Sequence, residues 1–224
     1  MPGLDVHVRD AIADVPASEW DRLWAHEPAR ATPFLQHAWL DALEQSGAVA
    51  ARSGWVPRHL VLRRAGRLVA AAPAYARADS GGDFGRGWGW AEAAARAGIP
   101  YYPQLVLGVP FAPVTGRRVL VADGEDRTAA VRAVVAAVRA VCEEEGIRSL
   151  HVLFPSPDEA PALEAAGLAL RVDFQYHWRN EGYRSFEDFL SRFPSKRRNA
   201  IRRERAEPAR QGIAIRTVRG DELG

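Results

Sequence analysis

Residues 58–77 read RHLVLRRAGRLVAAAPAYAR, two apolar runs hinged at Ala65-Gly66. A two-residue, glycine-containing connection between such runs predicts a β-hairpin. The second arm, 67–77, is apolar on both faces rather than on alternate residues. It therefore predicts a central strand in a sheet covered on both sides.

On the N-terminal side, LDVHVRD (4–10) alternates as a strand does, with Leu4, Val6 and Val8 on one face. Ser18 can cap a helix running to His26, and Thr32-Pro33 opens a second that stops at Gly47. On the C-terminal side, a glycine-rich loop (78–90) precedes a short helix from Trp90 to Ala97. LVLGV (105–109) and RVLVA (118–122) read as strands. In 127–146, Val131, Val134, Val135, Val138, Val141 and Cys142 follow helical spacing. SLHVLFP (149–155), a helix in 157–167 and a strand LALRVDFQYHW (168–178) continue the alternation. The fold class this predicts is α/β, an α+β mixed sheet.

Beyond 178 the character changes. Ser185-Phe186-Glu187-Asp188 fits a helix start, with Phe186, Phe189, Leu190 and Phe193 as its apolar face. Residues 195–212 carry seven basic side chains against two acidic ones, in a chain whose net charge is only +2. The final GIAIRTVRGDELG resembles the opening strand written again. The organisation expected is a domain over 1–183, a basic helical linker over 184–211, and the first strand of a second domain over 212–224.

Of 30 basic residues only Lys196 is lysine. The single cysteine, Cys142, excludes an internal disulfide and a cysteine-rich zinc site, and its helical apolar setting predicts an inert thiol. The six histidines have no metal-ligand spacing, so no metal is expected. The uncharged run 97–116 has the length of a membrane span, but prolines at 100, 103, 110 and 113 would break its helical hydrogen bonds. The N-terminus shows no basic region followed by an apolar core. These features predict a soluble protein of a reducing compartment, the cytoplasm.

The candidate binding wall is PYYPQLVLGVPFAPVTGRRVLV (100–121). Pro100 and Pro103 hold Tyr101 and Tyr102 in extended geometry ahead of Gln104. Thr115-Gly116 permits a tight turn, and Arg117 can clamp a carboxylate or phosphate through paired N–H groups. A structural role for these tyrosines and arginines is the alternative. Gln175–Asn180 gathers hydrogen-bonding and aromatic groups at a strand end, which nominates His177 and Asn180. His151 is assigned to the core. Lys196, Arg198 and Arg202 are the candidate anion site, since crowded cations repel without a counter-charge. No phosphate-binding glycine loop stands between a strand and a helix.

GWVPRHLVL, RLVAAAPAY, WAEAAARAGIPYYPQL, VPFAPVTGRRVLV, SLHVLFP, QYHWRNEGYRSFEDFLSRF and SKRRNAIRRERAEPARQGI, in that order, resemble the FemAB-like family of peptidoglycan biosynthesis or recognition. The resemblance implies an acyl-CoA N-acyltransferase (GNAT-type) fold, two-domain relatives, and attack of an amine on an ester or thioester. Acyl-CoA or aminoacyl-tRNA would be the donor, and a small anionic or amine substrate the acceptor. The chain departs from the family pattern at Gln104, where lysine is usual, at Ala112 of PFAP, where threonine is usual, and at Asp83, which takes the place of a glutamate. ADGEDR (122–127) replaces a pyrophosphate loop with acids, so the resemblance implies the acceptor-binding half. A non-catalytic recognition domain for an anionic precursor, or an RNA-binding module with possible tRNA contact through the basic helix, are the competing functions.

Overall fold

The computed structural model describes residues 3–26, 32–81 and 87–222, which divide into two compact units, Met1–Arg171 and Val172–Gly224. The expected hairpin forms. Strands β1 (Asp5–Arg9), β2 (Trp55–Pro57), β3 (His59–Arg64), β4 (Arg67–Ala72) and β5 (Ala74–Arg77) precede β6 (Gln104–Leu107), β7 (Leu120–Val121) and β8 (Ser149–Val152). Ala65 and Gly66 both have positive φ, 48° and 76°, the combination a tight hairpin turn of this hand requires. Ala65 lacks the glycine's freedom there and is held by the turn on either side.

The hairpin arms are longer than either sheet. One sheet has the order β1-β3-β4-β7 and the other β2-β5-β6-β8. The second arm leaves the first sheet at Pro73, which has no N–H to donate, and enters the other as β5. The ladder does not lapse at the bend, because Arg58 N donates to Ala74 O at 2.8 Å. Among the described strands every pairing is antiparallel except β6 with β8, which are joined through β7 and α4 (Arg127–Glu144). Strands β6 and β7 both pair with the second arm, and residues 108–119 lie between them in sequence.

Burial on both faces of the second arm is as expected. Val61, Leu68, Ala71 and Leu120 pack with Trp20, Leu23, Leu35 and Leu40 of the N-terminal helices, α1 (Ala17–Ala25) and α2 (His37–Gln45), and the turn before α2. Leu60, Leu62, Ala70 and Ala72 pack against Val131, Val134, Val135 and Val138 of α4. Helix α3 (Trp88–Arg96) has no buried residue, and α5 (Ala160–Ala165) packs Leu163 into the α4 side. Cys142 is half-buried on α4, where burial and then Glu145 and Glu143 push its thiol pKa up, as an inert cysteine requires.

Two sequence expectations fail. Residues 168–178 and 213–218 form no strand. Leu170, Val172, Phe174, Tyr176 and Trp178 keep the alternation but are each more than half exposed. Alternation prepares a strand for pairing and does not supply the partner. The second unit contains α6 (Phe186–Ser191), whose cap Ser185 Oγ accepts from Asp188 N at 3.1 Å, and α7 (Ser195–Arg210). Pro208 does not break α7, which ends two residues later.

Candidate functional site

The two faces of the second sheet differ in chemistry. Ala74, Ala76, Leu105, Leu107, Leu150 and Val152 turn one face toward α4. Registers Trp55↔Arg77, Arg77↔Gln104 and Gln104↔Ser149 set a row of four different side chains across the other. The next row on that face is Pro57, Tyr75, Val106 and His151. Side chains two residues apart along a strand share a face, so this surface collects tryptophan, tyrosine, arginine, glutamine, serine and histidine.

Gln104 lies at its centre, fully buried. Its Oε1 accepts from Arg77 Nε at 2.9 Å and Nη2 at 2.6 Å. Arg77 Cζ also sits 5.8 Å from the centroid of the Trp55 ring, whose Nε1 donates to Gly81 O at 3.1 Å. Gln104 Nε2 and the neighbouring Ser149 Oγ are buried with no hydrogen-bond partner. An unpaired buried donor is costly, and such groups cluster where a ligand or an ordered water completes the set.

The tyrosines meet this row from the start of β6. Tyr102, which precedes a cis peptide bond to Pro103, bonds its hydroxyl to buried Ser80 Oγ. The Tyr101 ring packs edge-on to Tyr102 at 5.0 Å and to His151 at 6.4 Å. Three sequence candidates, Tyr101, Tyr102 and Gln104, are thus brought together. Arg77, Ser80, Ser149 and His151 join them without having been singled out for the site. The signal for Arg77 was a charge closing an arm that is free of charge from Leu68 to Ala76.

Thr115 and Arg117 belong to the opposite end. Parallel β6 and β8 run away from Tyr101, and beyond their far ends Leu153 N donates to Leu107 O and Gly116 N to Phe154 O. Thr115 is exposed. Arg117 is buried, ion-paired to Asp158 at 2.7 Å and donating to Ser156 Oγ at 3.2 Å. The structure thus places this guanidinium away from the tyrosine wall, where it braces the chain after β8. Arg118 braces it further, donating to Arg117 O at 2.8 Å and to the carbonyls of Val114 and Leu153. Burial lowers its pKa to about 10, against the attraction of Glu159.

Glu159 completes this brace. Its carboxylate accepts from Arg118 N at 2.8 Å, Val119 N at 3.1 Å and Arg127 Nη1 at 3.4 Å. Burial nonetheless raises its pKa, outweighing those two backbone bonds and the charges of Arg127 and Arg117. Phe111 and Phe154 flank the braced region with positive φ, 59° and 53°, a conformation bulky side chains adopt only when held.

The start of α4 does not fit a pyrophosphate. Asp126 Oδ1 itself accepts from Ala129 N at 3.1 Å, and Glu125 beside it binds Arg64 and Arg67. One N–H that would face an anion, that of Ala129, is met by a carboxylate of the chain, and a second carboxylate stands beside it. Asp83 and the Gly85–Gly89 loop up to Arg86 fall outside the described residues. Among the described residues no cluster of metal-ligating side chains occurs, and no helix is long and apolar enough to cross a membrane.

In the second unit, His177 is exposed and Asn180 lines a cleft. The basic helix is partly self-neutralised. Arg202 pairs with Glu187, Arg198 Nη1 donates to Phe193 O at 2.8 Å, and Arg205 lies 4.2 Å over the Phe186 ring. At about 100° per residue Lys196 points about 120–160° around α7 from Arg198 and Arg202, so the three do not converge.

Among solved structures, the chain is similar to a ribosomal-protein-alanine N-acetyltransferase from Brucella melitensis biovar Abortus 2308, with 16% identity over 80% of this chain and 99% of that one, TM-score 0.46. It is similar to a possible acetyltransferase from Clostridium difficile 630, with 11% identity over 79% and 97%, TM-score 0.47. An aminoglycoside antibiotic 6'-N-acetyltransferase from Acinetobacter baumannii gives 12% identity over 80% and 100%, TM-score 0.45. No match to a curated protein was found. The FemAB-like model, described as peptidoglycan biosynthesis/recognition, matches residues 11–224, and the chain belongs to that family.

Proposed function

We propose that this chain is the acceptor-binding part of an N-acyltransferase, holding an amine-bearing, peptidoglycan-related precursor against the polar face of its second sheet. The observation that carries the reading is Gln104 Nε2, a fully buried donor with no partner, fixed by Arg77 and adjacent to an equally unpartnered Ser149 Oγ. A carbonyl or carboxylate oxygen of the precursor satisfies that donor. Tyr101, Tyr102 and His151 supply the aromatic wall beside it. Holding the acceptor in one orientation is a large part of what such an enzyme contributes, because attack on an acyl carbonyl depends steeply on geometry.

The donor, acyl-CoA or aminoacyl-tRNA, is not assigned to residues of this chain, since the acids at the start of α4 oppose a pyrophosphate. That same observation favours one second reading, a recognition domain that binds the precursor without transferring to it. The RNA-binding reading has weaker support, because three of the basic side chains of α7 are engaged within their own unit.

The test uses muramyl dipeptide as probe and the Gln104→Glu variant. Glutamate keeps an oxygen for Arg77 and exchanges the free donor for an acceptor. Binding measured by calorimetry should weaken by about tenfold or more, with the thermal midpoint held. Unchanged affinity, or no binding to the parent, would sink the assignment. Incubation with acetyl-CoA, read by mass spectrometry for an acylated amine product, separates transfer from recognition.

A further inference from the structure

We propose that the aromatic cleft of the C-terminal unit binds a small anionic ring compound, with its ring on Trp178 and Phe189 and its phosphate or carboxylate on Arg184. This site is independent of the one on the second sheet and rests on different residues.

The cleft has a volume of ≈ 420 Å³, within the range of small-molecule sites. Its walls are Trp178, Tyr183, Phe186 and Phe189. The rings hold one another: Tyr183 and Phe189 meet edge-on at 5.3 Å, and Trp178 and Phe189 at 6.4 Å. Yet Trp178 remains 68% exposed, so a large flat surface is left facing solvent. Such a surface favours a ring with an apolar face.

The acceptor oxygens of the cleft's polar side chains already receive hydrogen bonds, that of Tyr183 from Arg192 Nη1 at 2.6 Å, so what the side chains have left to offer is mainly donors. Asn180 Oδ1 accepts from Gly182 N at 3.0 Å and Tyr183 N at 3.3 Å, which leaves its Nδ2 to donate. Ser185 Oγ accepts from Asp188 N, so its hydroxyl hydrogen is free to be given. Trp178 Nε1 and the Arg184 guanidinium have no partner among the described residues, and no carboxylate lines the cleft. The neighbouring acids are already engaged: Glu181 with Arg192, Glu187 with Arg202, and Asp188 with Arg184 N. Unused donors, with the acceptors already taken and one uncompensated cation beside them, select an acceptor-rich anion. The ring can be a pyranose or a nucleobase, since both carry a flat face and both occur as phosphates.

Three probes separate these sources: N-acetylglucosamine 1-phosphate, uridine monophosphate and inorganic phosphate. The readout is the indole N–H resonance of Trp178 in the full chain labelled at tryptophan, assigned with Trp178→Leu. One ring phosphate should shift it at concentrations at least about tenfold below those needed with inorganic phosphate. Arg184→Gln should weaken that ring phosphate by about tenfold or more, whereas Arg219→Gln should leave it unchanged. The tighter of the two ring compounds identifies the ring as sugar or base. No shift with either ring phosphate overturns the proposal. Equal response to inorganic phosphate, or insensitivity to Arg184→Gln, also overturns it.

Discussion

Gln104 Oε1 takes two hydrogen bonds from one arginine, Arg77, whose cross-strand register partner it is. The pair is buried at both ends, and its orientation fixes which atom of the amide is left over. Replacing Gln104 with leucine strands two N–H groups of a buried guanidinium. The unfolding free energy should fall by about 1.5–3 kcal/mol, the range for hydrogen bonds to charged groups. A urea midpoint unchanged from the parent would show that the guanidinium finds other acceptors.

Arg117→Ala should destabilise by about 1–3 kcal/mol, because the guanidinium is buried and bonded to Ser156 and Asp158. Binding of a ligand at Tyr101 should be unaffected at temperatures where the variant stays folded. An arginine serving a ligand would give the reverse pattern, lost affinity with the midpoint preserved.

Tyr75 is fully buried and its hydroxyl has no partner. Burial first, and then Glu44, push its pKa well above the ordinary value, so it stays protonated throughout the working range. Removing an unsatisfied buried hydroxyl without changing shape is neutral to stabilising, so Tyr75→Phe should gain up to about 1 kcal/mol. A loss of that size in thermal or chemical melts would reveal a bond to ordered water.

Glu159 should make stability fall as pH rises. Its pKa in the folded chain lies above the ordinary 4.5, so between the two values the folded state binds more proton than the unfolded one. The stabilisation it contributes is complete below the ordinary value and declines as pH climbs through the folded one. Relative to Glu159→Gln, the parent should therefore lose ground across that window. A parent that gains on the variant with rising pH contradicts the raised pKa.

Glu187 has the opposite displacement at the surface. A hydrogen bond from Arg202 holds its carboxyl below the ordinary glutamate range. In Arg202→Gln its titration, followed by carbon NMR, should move back up toward the ordinary value. No movement would mean that the pair does not persist in solution.

Much of the first unit was legible because its signals are local. The Ala65-Gly66 turn, the all-apolar second arm and the valine spacing of α4 each depend on residues close in sequence. The site was half legible. Tyr101 and Tyr102 stood out by their prolines, and Gln104 by following them where the family pattern has lysine. Arg77 is separated from Gln104 by 27 positions, and only the register of β5 with β6 joins them. The setting of Arg117 was not legible, because a charged residue beside a strand looks exposed in sequence. Its burial depends on Ser156 and Asp158, about forty residues away, arriving on the far side of β8. Residues 168–178 misled for the same reason in reverse, carrying a strand's alternation with no neighbour to pair it.

The passage of one hairpin through both sheets has a thermodynamic consequence. Because β2–β3 and β4–β5 are each nearly continuous runs of chain, fraying one sheet pulls on strands that the other sheet needs. The bend at Pro73 thus acts as a coupling between two small sheets of four strands each, neither of which has a spare strand to lose. Amide hydrogens of the polar row, such as that of Gln104, should accordingly exchange only when the aliphatic sheet over the N-terminal helices opens as well. A polar row that would be soft in an isolated sheet should share the stability of the deepest core of its unit.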